Sequence, residues 1–328
     1  MAPRHKVTVL GGGMWGCVLA QQLANKGAKV RLWEFIPAIA ESLKKTRRHA
    51  QIPGFRLDSA IKVTHDLVEG CADAEILLFV LPSRALAATA KNIRTHVNLS
   101  RTAVAVNASK GVEPHTFATM GDILERELPS LRGNVWTLSG PSFAREVARG
   151  VPTGLLLGGP SRPITKTLVA LFHGGALNVS HWPDRHGVEL GGSLKNAIAI
   201  GAGILDGLGT GANTKAALLV RGLAEMSLLI RARGGHADTI YSLAGLGDLI
   251  ATGTSPESRN RSFGEKLGKG LSPKRALSQI PTIVEGIEAA AAAHELCLRN
   301  KVKAPLLEAI WRATRGAPAK VVLKALGF

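Results

Sequence analysis

Apolar residues come in short β-rich runs through the first half of the chain and at helical spacing through the second. Lys6 to Leu10 is such a run. A helical pattern from Cys17 to Asn25 follows, Gly27 ends it, and Val30 to Trp33 reads as a second strand. Further strands are predicted at Ile61 to Thr64, Ile76 to Leu81, Thr102 to Asn107 and Val135 to Leu138, with helical or polar segments between them. This alternation implies right-handed β-α-β crossovers and a mainly parallel sheet. After Pro183 the strand signals stop, and helical patterns cover Val188 to Leu205, Asn213 to Arg233, Ile283 to Asn300 and Ala304 to Thr314. The chain therefore reads as α/β, with a sheet domain over residues 1–183 and an all-helical domain over 184–328.

The first strand runs into Gly11-Gly12-Gly13-Met14-Trp15-Gly16, a G-x-G-x-x-G turn between strand and helix. Gly11 permits the tight turn, Gly13 lets the backbone approach a pyrophosphate, and Gly16 lets the helix pack on the strand. The N–H groups at the helix start then bind phosphate. Glu34 ends the second strand 18 residues after Gly16 (34 − 16), near the spacing of about 20 at which a carboxylate holds the ribose hydroxyls. The first domain is thus expected to be Rossmann-like and dinucleotide-binding. Glu34 repels a 2′-phosphate and favours NAD(H); Arg31, Lys44, Arg47 and Arg48 keep NADP(H) open. Pro82-Ser83, Asn107 to Gly111 and Ser139 to Ser142 follow later strands. In an open parallel sheet such carboxyl-end loops face cofactor and substrate.

Composition narrows the picture. The chain has 328 residues, 45% hydrophobic, only 4% aromatic, with 37 glycines. Its cores must be built from Ala, Val, Ile and Leu with many close backbone contacts, as in α/β proteins rather than β-sandwiches. Cys17, Cys71 and Cys297 are far apart and lie in apolar runs; they read as reduced thiols, with no disulfide framework and no metal site. Met1 to Lys6 is charged and leads straight into the first strand, without a secretory pattern, and no apolar run is long enough to span a bilayer. A soluble, cytoplasmic protein is expected. Lys and Arg total 41 against 24 Asp and Glu, a formal +17. The charges are dispersed and no nucleic-acid-reading motif accompanies them, so the excess reads as a solvated surface that attracts phosphorylated small molecules.

Three polar stretches stand out in the helical half. Gly187 to Asn196 places Lys195 in a helix of small residues. A lysine so surrounded is desolvated, which lowers its pKa toward proton-transfer range; the alternative is an ammonium that reaches solvent. Leu243 to Leu249 sets two glycines before Asp248 at a helix start, either as a cap or as a partner for Lys195 or a substrate hydroxyl. Thr252 to Arg261 gathers hydroxyls, an amide and arginines in a loop opening a helix. That combination suits a phosphate dianion, or is an exposed basic loop.

Together these stretches resemble the bacterial-type NAD(P)-dependent glycerol-3-phosphate dehydrogenase family. The resemblance rests on Leu138 to Glu146, Gly187 to Asn196, Gly207 to Asn213, Arg221 to Met226, Ala244 to Asp248, Ser258 to Asn260 and Val284 to Gly286, in order along nearly the whole chain. It implies hydride transfer between NAD(P)H and dihydroxyacetone phosphate, giving sn-glycerol 3-phosphate for glycerophospholipid synthesis, in a cytoplasmic homodimer. It further implies that Lys195 exchanges the proton of the C2 oxygen, that Lys110 lies by both cofactor and substrate, and that Asp248 completes the catalytic set. Gly140, Ser142, Ser258, Arg259 and Asn260 match substrate contacts, with Arg259 and Asn260 near the phosphate. Met14, Trp15, Phe35, Ala144, Arg259, Ile283 and Glu285 match cofactor contacts. Two departures stand out. Met14 replaces a small hydroxyl residue common in relatives, and Trp33-Glu34-Phe35 lacks the basic or polar residues many of them carry.

Overall fold

The structure, a computed structural model, describes residues 5–113, 116–280 and 283–328. It divides into two compact units: Met1–Lys110 with Met120–Arg185, and Gly111–Thr119 with His186–Phe328.

The first unit is an 8-stranded sheet in the order β3-β2-β1-β4-β5-β6-β7-β8. The strands are β1 (Lys6–Leu10), β2 (Lys29–Trp33), β3 (Lys62–Thr64), β4 (Ile76–Phe79), β5 (Val104–Asn107), β6 (Val135–Ser139), β7 (Thr153–Gly158) and β8 (Leu177–Trp182). Helices α1 (Met14–Asn25), α2 (Pro37–Thr46), α3 (Leu67–Cys71), α4 (Ser83–His96), α5 (Met120–Glu127), α6 (Ala144–Ala148) and α7 (Pro163–Phe172) connect them. Strands β1 to β6 pair in parallel. Helices on both faces explain why β4 and β5 are buried at every position.

The sequence reading stopped at the sixth strand; β7 and β8 extend the sheet. β7 runs antiparallel to β6, and β8 runs parallel to β7. The Thr153–Gly158 run is short and glycine-flanked, so only its pairing identifies it as a strand. Helix α1 also begins earlier than its apolar pattern, at Met14 directly after Gly13.

Register decides which residues meet. Leu10 pairs with both Trp33 and Phe79, Phe79 with Asn107, and Asn107 with Thr137. The carboxyl ends of β1, β2, β4, β5 and β6 are therefore nearly level. The strand order reverses between β1 and β4, the switch point where open α/β sheets bind ligands.

The second unit is helical: α8 (Arg185–Gly207), α9 (Ala212–Ala232), α10 (Asp248–Thr254), α11 (Arg259–Gly268), α12 (Pro273–Ser278), α13 (Glu285–Asn300), α14 (Pro305–Thr314) and α15 (Val321–Leu326). Every residue of α8 from Gly187 to Leu205 is buried. A helix apolar or small on all sides belongs at the centre of its core. Gly111–Thr119 joins this unit through Val112 and Phe117, which lie in the helical core. The Arg299 guanidinium stands 4.7 Å above the Phe117 ring. On α9, buried Glu225 accepts from the Leu306 and Leu307 N–H groups at 3.0 and 2.9 Å, capping donors that the first turn of α14 leaves unpaired.

All three cysteines are free. Burial pushes the Cys17 and Cys71 thiols up to about 12 and Cys297 up to about 11. A raised pKa keeps each thiol protonated, hence unreactive, at pH 8. Iodoacetamide at pH 8 should leave the native chain unmodified over a period that labels all three thiols in denaturant. Mass spectrometry showing equal rates in both states would contradict that burial.

Candidate active site

In the first unit, the turn after β1 is shaped by close contact. Gly11 has φ +119°, and a Cβ there would lie 2.3 Å from the Val80 carbonyl oxygen. A Cβ on Gly16 would come within 1.9 Å of the Gly11 oxygen, so α1 rests directly on the turn. Gly13 is different: its backbone is extended, and nothing lies within 4 Å of where its Cβ would be. Neither strain nor packing inside the protein requires glycine there. The backbone at the start of α1 is left bare, as close approach of an anionic ligand to helix-start N–H groups would require.

Glu34 reaches across to this turn. Its Oε2 accepts from the Gly12 N–H at 2.8 Å, and its Oε1 from the Ile36 N–H at 2.9 Å. Met14 and Trp15 are half-buried in the first turn of α1, and Phe35 is 74% exposed beside Glu34. Further along the same edge, Lys110 Nζ donates to the Gly140 carbonyl at 3.2 Å. Gly140 has φ +136°, a backbone only glycine adopts without strain. Ser142 and Ala144 lie at the entry to α6. Ser139, 4% exposed, keeps its Oγ without a partner among the described residues. An open glycine cradle at a helix start, a ribose-type carboxylate and an orphaned buried hydroxyl fit a nicotinamide dinucleotide along this edge.

In the second unit, Lys195 is 5% exposed and Asp248 2%. Lys195 Nζ donates to Asp248 Oδ1 at 2.6 Å and to Thr252 Oγ1 at 2.5 Å, and Thr252 in turn donates to Asp248 Oδ1 at 3.2 Å. Asp248 and Thr252 are four apart on α10 and so share a face. The π-helical turn Leu243–Gly247 delivers them. A Cβ on Gly245 would lie 2.1 Å from the Ile240 oxygen, and one on Gly191 of α8 would lie 3.1 Å from the Ala244 oxygen. Gly245 therefore lets the turn fold back on Ile240, and Gly191 lets α8 approach the Ala244–Gly245 backbone. Asp248 is the first residue of α10, Gly247 occupies the cap position, and the Asp248 carboxylate accepts from Lys195.

Helix α11 meets α8 backbone to backbone. A Cβ on Gly203 would lie 1.9 Å from the Arg261 oxygen, and one on Gly264 would lie 2.0 Å from the Ile200 oxygen. This contact sets α11's first turn, with Ser258 as its cap accepting from the Arg261 N–H at 3.2 Å. Arg259 is exposed and forms no ion pair or hydrogen bond among the described residues. Asn260 is buried as a link: its Nδ2 donates to Asn196 Oδ1 at 2.9 Å, and its Oδ1 accepts from the Gly286 N–H at 2.9 Å. Ile283 is exposed and Glu285 half-buried where α13 begins.

The structure thus gathers Gly11, Gly13, Met14, Trp15, Gly16, Glu34 and Phe35 around one turn, and Lys110 with Gly140. It gathers Lys195 with Asp248, and sets Ser258, Arg259 and Asn260 in one helical turn. Asn196 and Gly12 carry no individual role in the sequence pattern, and Thr252 falls there in the hydroxyl-rich stretch that suits a phosphate. Thr252 lies in α10 rather than in a loop. Its signal was the four-residue spacing from Asp248; that of Asn196 was its place beside Lys195.

Comparison with known proteins decides the family. The sequence profile described as NAD-dependent glycerol-3-phosphate dehydrogenase N-terminus matches residues 6–162, and that of the C-terminus matches residues 184–322. The chain belongs to the NAD-dependent glycerol-3-phosphate dehydrogenase family. It is 39% identical over 326 residues to glycerol-3-phosphate dehydrogenase [NAD(P)+] 2 of Lactobacillus delbrueckii subsp. bulgaricus, covering 98% of this chain and 96% of that one. The glycerol-3-phosphate dehydrogenase [NAD(P)+] of Fusobacterium nucleatum is 40% identical over 306 residues, 93% of this chain and 91% of its own. The crystal structure of glycerol-3-phosphate dehydrogenase from Coxiella burnetii superposes with a TM-score of 0.91 at 33% identity, covering 99% of each chain. A ketopantoate reductase from Ralstonia eutropha, at 17% identity and TM-score 0.64 over 98% of this chain and 99% of that one, shares the fold alone. Among the described residues of this glycerol-3-phosphate dehydrogenase family member, no helix is long and apolar enough to cross a membrane.

Lys195 and Asp248 test as a pair. Asp248→Leu leaves a buried ammonium without its counter-ion and should lower stability by about 3–5 kcal/mol, whereas Lys195→Met with Asp248→Leu should recover most of the loss. Urea unfolding of both variants checks this. An Asp248→Leu protein as stable as its parent would show that the ammonium is not held there as an ion.

Proposed function

We propose that this chain catalyses reversible hydride transfer between a nicotinamide cofactor and the dihydroxyacetone phosphate/sn-glycerol 3-phosphate pair, supplying sn-glycerol 3-phosphate for glycerophospholipid synthesis. The observation that carries the proposal is the buried Lys195–Asp248–Thr252 cluster in a chain whose two halves both match this dehydrogenase family.

When bound, the nicotinamide supplies or accepts the hydride. Gly11, Gly13, Met14, Trp15 and Gly16 would hold its pyrophosphate, and Glu34 and Phe35 its adenosine. Ala144, Ile283 and Glu285 are further cofactor contacts implied by the family, as are Lys110 and Arg259. In ketone reduction, negative charge grows on the C2 oxygen. The Lys195 ammonium stabilises that charge and gives the oxygen its proton; in the oxidative direction, neutral Lys195 takes the C2 hydroxyl proton. Asp248 and Thr252 accept from Nζ and so fix where it points. Lys110 is assigned the electrostatic polarisation of the carbonyl, with Gly140 and Ser142 as substrate contacts.

The substrate phosphate is assigned to the first turn of α11. Arg259 supplies charge there, Ser258 shapes the turn, and Asn260 locks it to α8. Binding energy from the phosphate then holds the ketone in attack geometry. The proposal includes NAD(H) as preferred cofactor, a cytoplasmic location and a homodimer, as family membership implies. The net charge of +17 draws in anionic metabolites.

Lys195→Ala should abolish dihydroxyacetone phosphate reduction while NADH binding, read by fluorescence titration, persists. Normal turnover would remove Lys195 from its role. Arg259→Ala should weaken phosphorylated substrate by about 1.5–3 kcal/mol, as for a lost charged hydrogen bond. The KM for an unphosphorylated hydroxyketone should stay the same, and equal losses for both would contradict the assignment.

A further inference from the structure

Tight turning, bare backbone and helix packing account for Gly11, Gly13 and Gly16; Gly12 answers to a different demand. Its backbone is not left-handed, so no conformational demand selects it. A Cβ there would lie 2.8 Å from Glu34 Oε2 and 3.0 Å from Glu34 Cβ. Gly12 is small because Glu34 lies against it.

The carboxylate is held at both oxygens, by Gly12 N–H at 2.8 Å and by Ile36 N–H at 2.9 Å. One donor belongs to the phosphate turn and the other to the start of α2, so the acid is fixed between two rigid elements. Cations near it in sequence are committed elsewhere. Arg31 donates to the Ala72 carbonyl. Arg47 donates to the Asp58 and Ile61 carbonyls, and Lys44 pairs with Glu41 at 3.7 Å. Glu34 itself has no ion pair among the described residues. Burial lowers the pKa of half-buried His49, an effect larger than the opposing influence of Glu34. The Arg48 guanidinium is exposed, and like those of Lys45 and Arg56 its charged group has no hydrogen-bond or ion-pair partner among the described residues.

We infer that Gly12 is a positioning residue for cofactor choice: with Ile36 it clamps the Glu34 carboxylate where the adenosine 2′ position must sit, making this chain selective for the cofactor without a 2′-phosphate. Charge alone would permit a mobile acid to swing aside and admit that phosphate. The clamp removes this freedom, because moving the carboxylate strands two backbone donors. This deepens, and rests on, the dinucleotide assignment made above.

The test compares ADP-ribose with 2′-phospho-ADP-ribose, ligands that differ only by the phosphate, by calorimetric titration of the full chain. The parent should favour ADP-ribose on the order of 100-fold, as for an unrelieved like-charge contact. Glu34→Gln, which removes the charge, should bring the ratio close to one. Gly12→Ala displaces the carboxylate, and Glu34→Asp is too short to reach both donors. Each keeps the charge, and each should lose most of the discrimination, to under about 10-fold. General damage to the phosphate turn would weaken both ligands alike and leave the ratio unmoved.

Full discrimination in Glu34→Asp would overturn the clamp, and would do so even if Gly12→Ala failed to fold. Equal binding of both ligands by the parent would also overturn it; if Arg48→Ala then weakened only the phosphorylated ligand, selection would lie with Arg48. Dihydroxyacetone phosphate reduction, assayed in parallel, separates the two readings. Intact discrimination without reduction strikes the proposed reaction and spares the clamp.

Discussion

A buried ammonium at the centre of a helical core constrains most of what surrounds it. Lys195 sits on a helix buried at every position from Gly187 to Leu205, where an unpaired charge costs several kcal/mol of lost hydration. The fold must therefore bring a carboxylate to it, and the carboxylate must come in close. Gly191 lets α8 approach the Ala244–Gly245 turn that leads into α10, Gly245 lets that turn fold against Ile240, and α10 presents Asp248 and Thr252 on one face. The same cluster that offsets the cost of burial also points the Nζ. Stability and the orientation of Nζ thus draw on one set of hydrogen bonds.

Close backbone approach is the construction method throughout. With 4% aromatic residues, large side chains fill little of either core, and helices are set by contact through glycine. Gly203 and Gly264 let α8 and α11 touch, which sets the Arg259–Asn260 turn against the helix bearing Lys195 and Asn196. In the sheet unit, Gly16 resting on the Gly11 carbonyl fixes α1 over the turn. In each case a methyl group would move a functional side chain by moving a backbone. Buried Asn260 and Glu225 then spend hydrogen bonds on the starts of α13 and α14, and Asn196 accepts from Asn260. Functional turns are so made rigid without a large apolar interface.

Electrostatics divides the labour between the two units. The sheet unit carries a fixed carboxylate at the end of β2 and an ammonium, Lys110, bonded to the β6 loop. The helical unit carries a neutralised pair, Lys195 with Asp248, and an uncommitted guanidinium, Arg259. Cation, anion and paired charge are thus each held by their own local partners within a unit. The surplus of surface cations adds a field favourable to anionic metabolites.

Much of this was legible in the one-dimensional pattern. Strand–turn–helix around Gly11 to Gly16, the acid at Glu34 and the polar residues inside an otherwise small and apolar helix are local signals, because period and spacing are properties of neighbours in sequence. What local order could not disclose was pairing. β7 and β8 emerge only when β6 accepts an antiparallel neighbour, and Phe117 joins the helical core although strands precede and follow it in the chain. That Thr252 bonds Lys195, that Asn260 joins three helices, and that Gly12 is small on account of Glu34 are all facts of contact between residues distant in sequence. Residue types declared which chemistry was present. Only tertiary packing, by choosing which buried donor meets which acceptor, decided how each group is held.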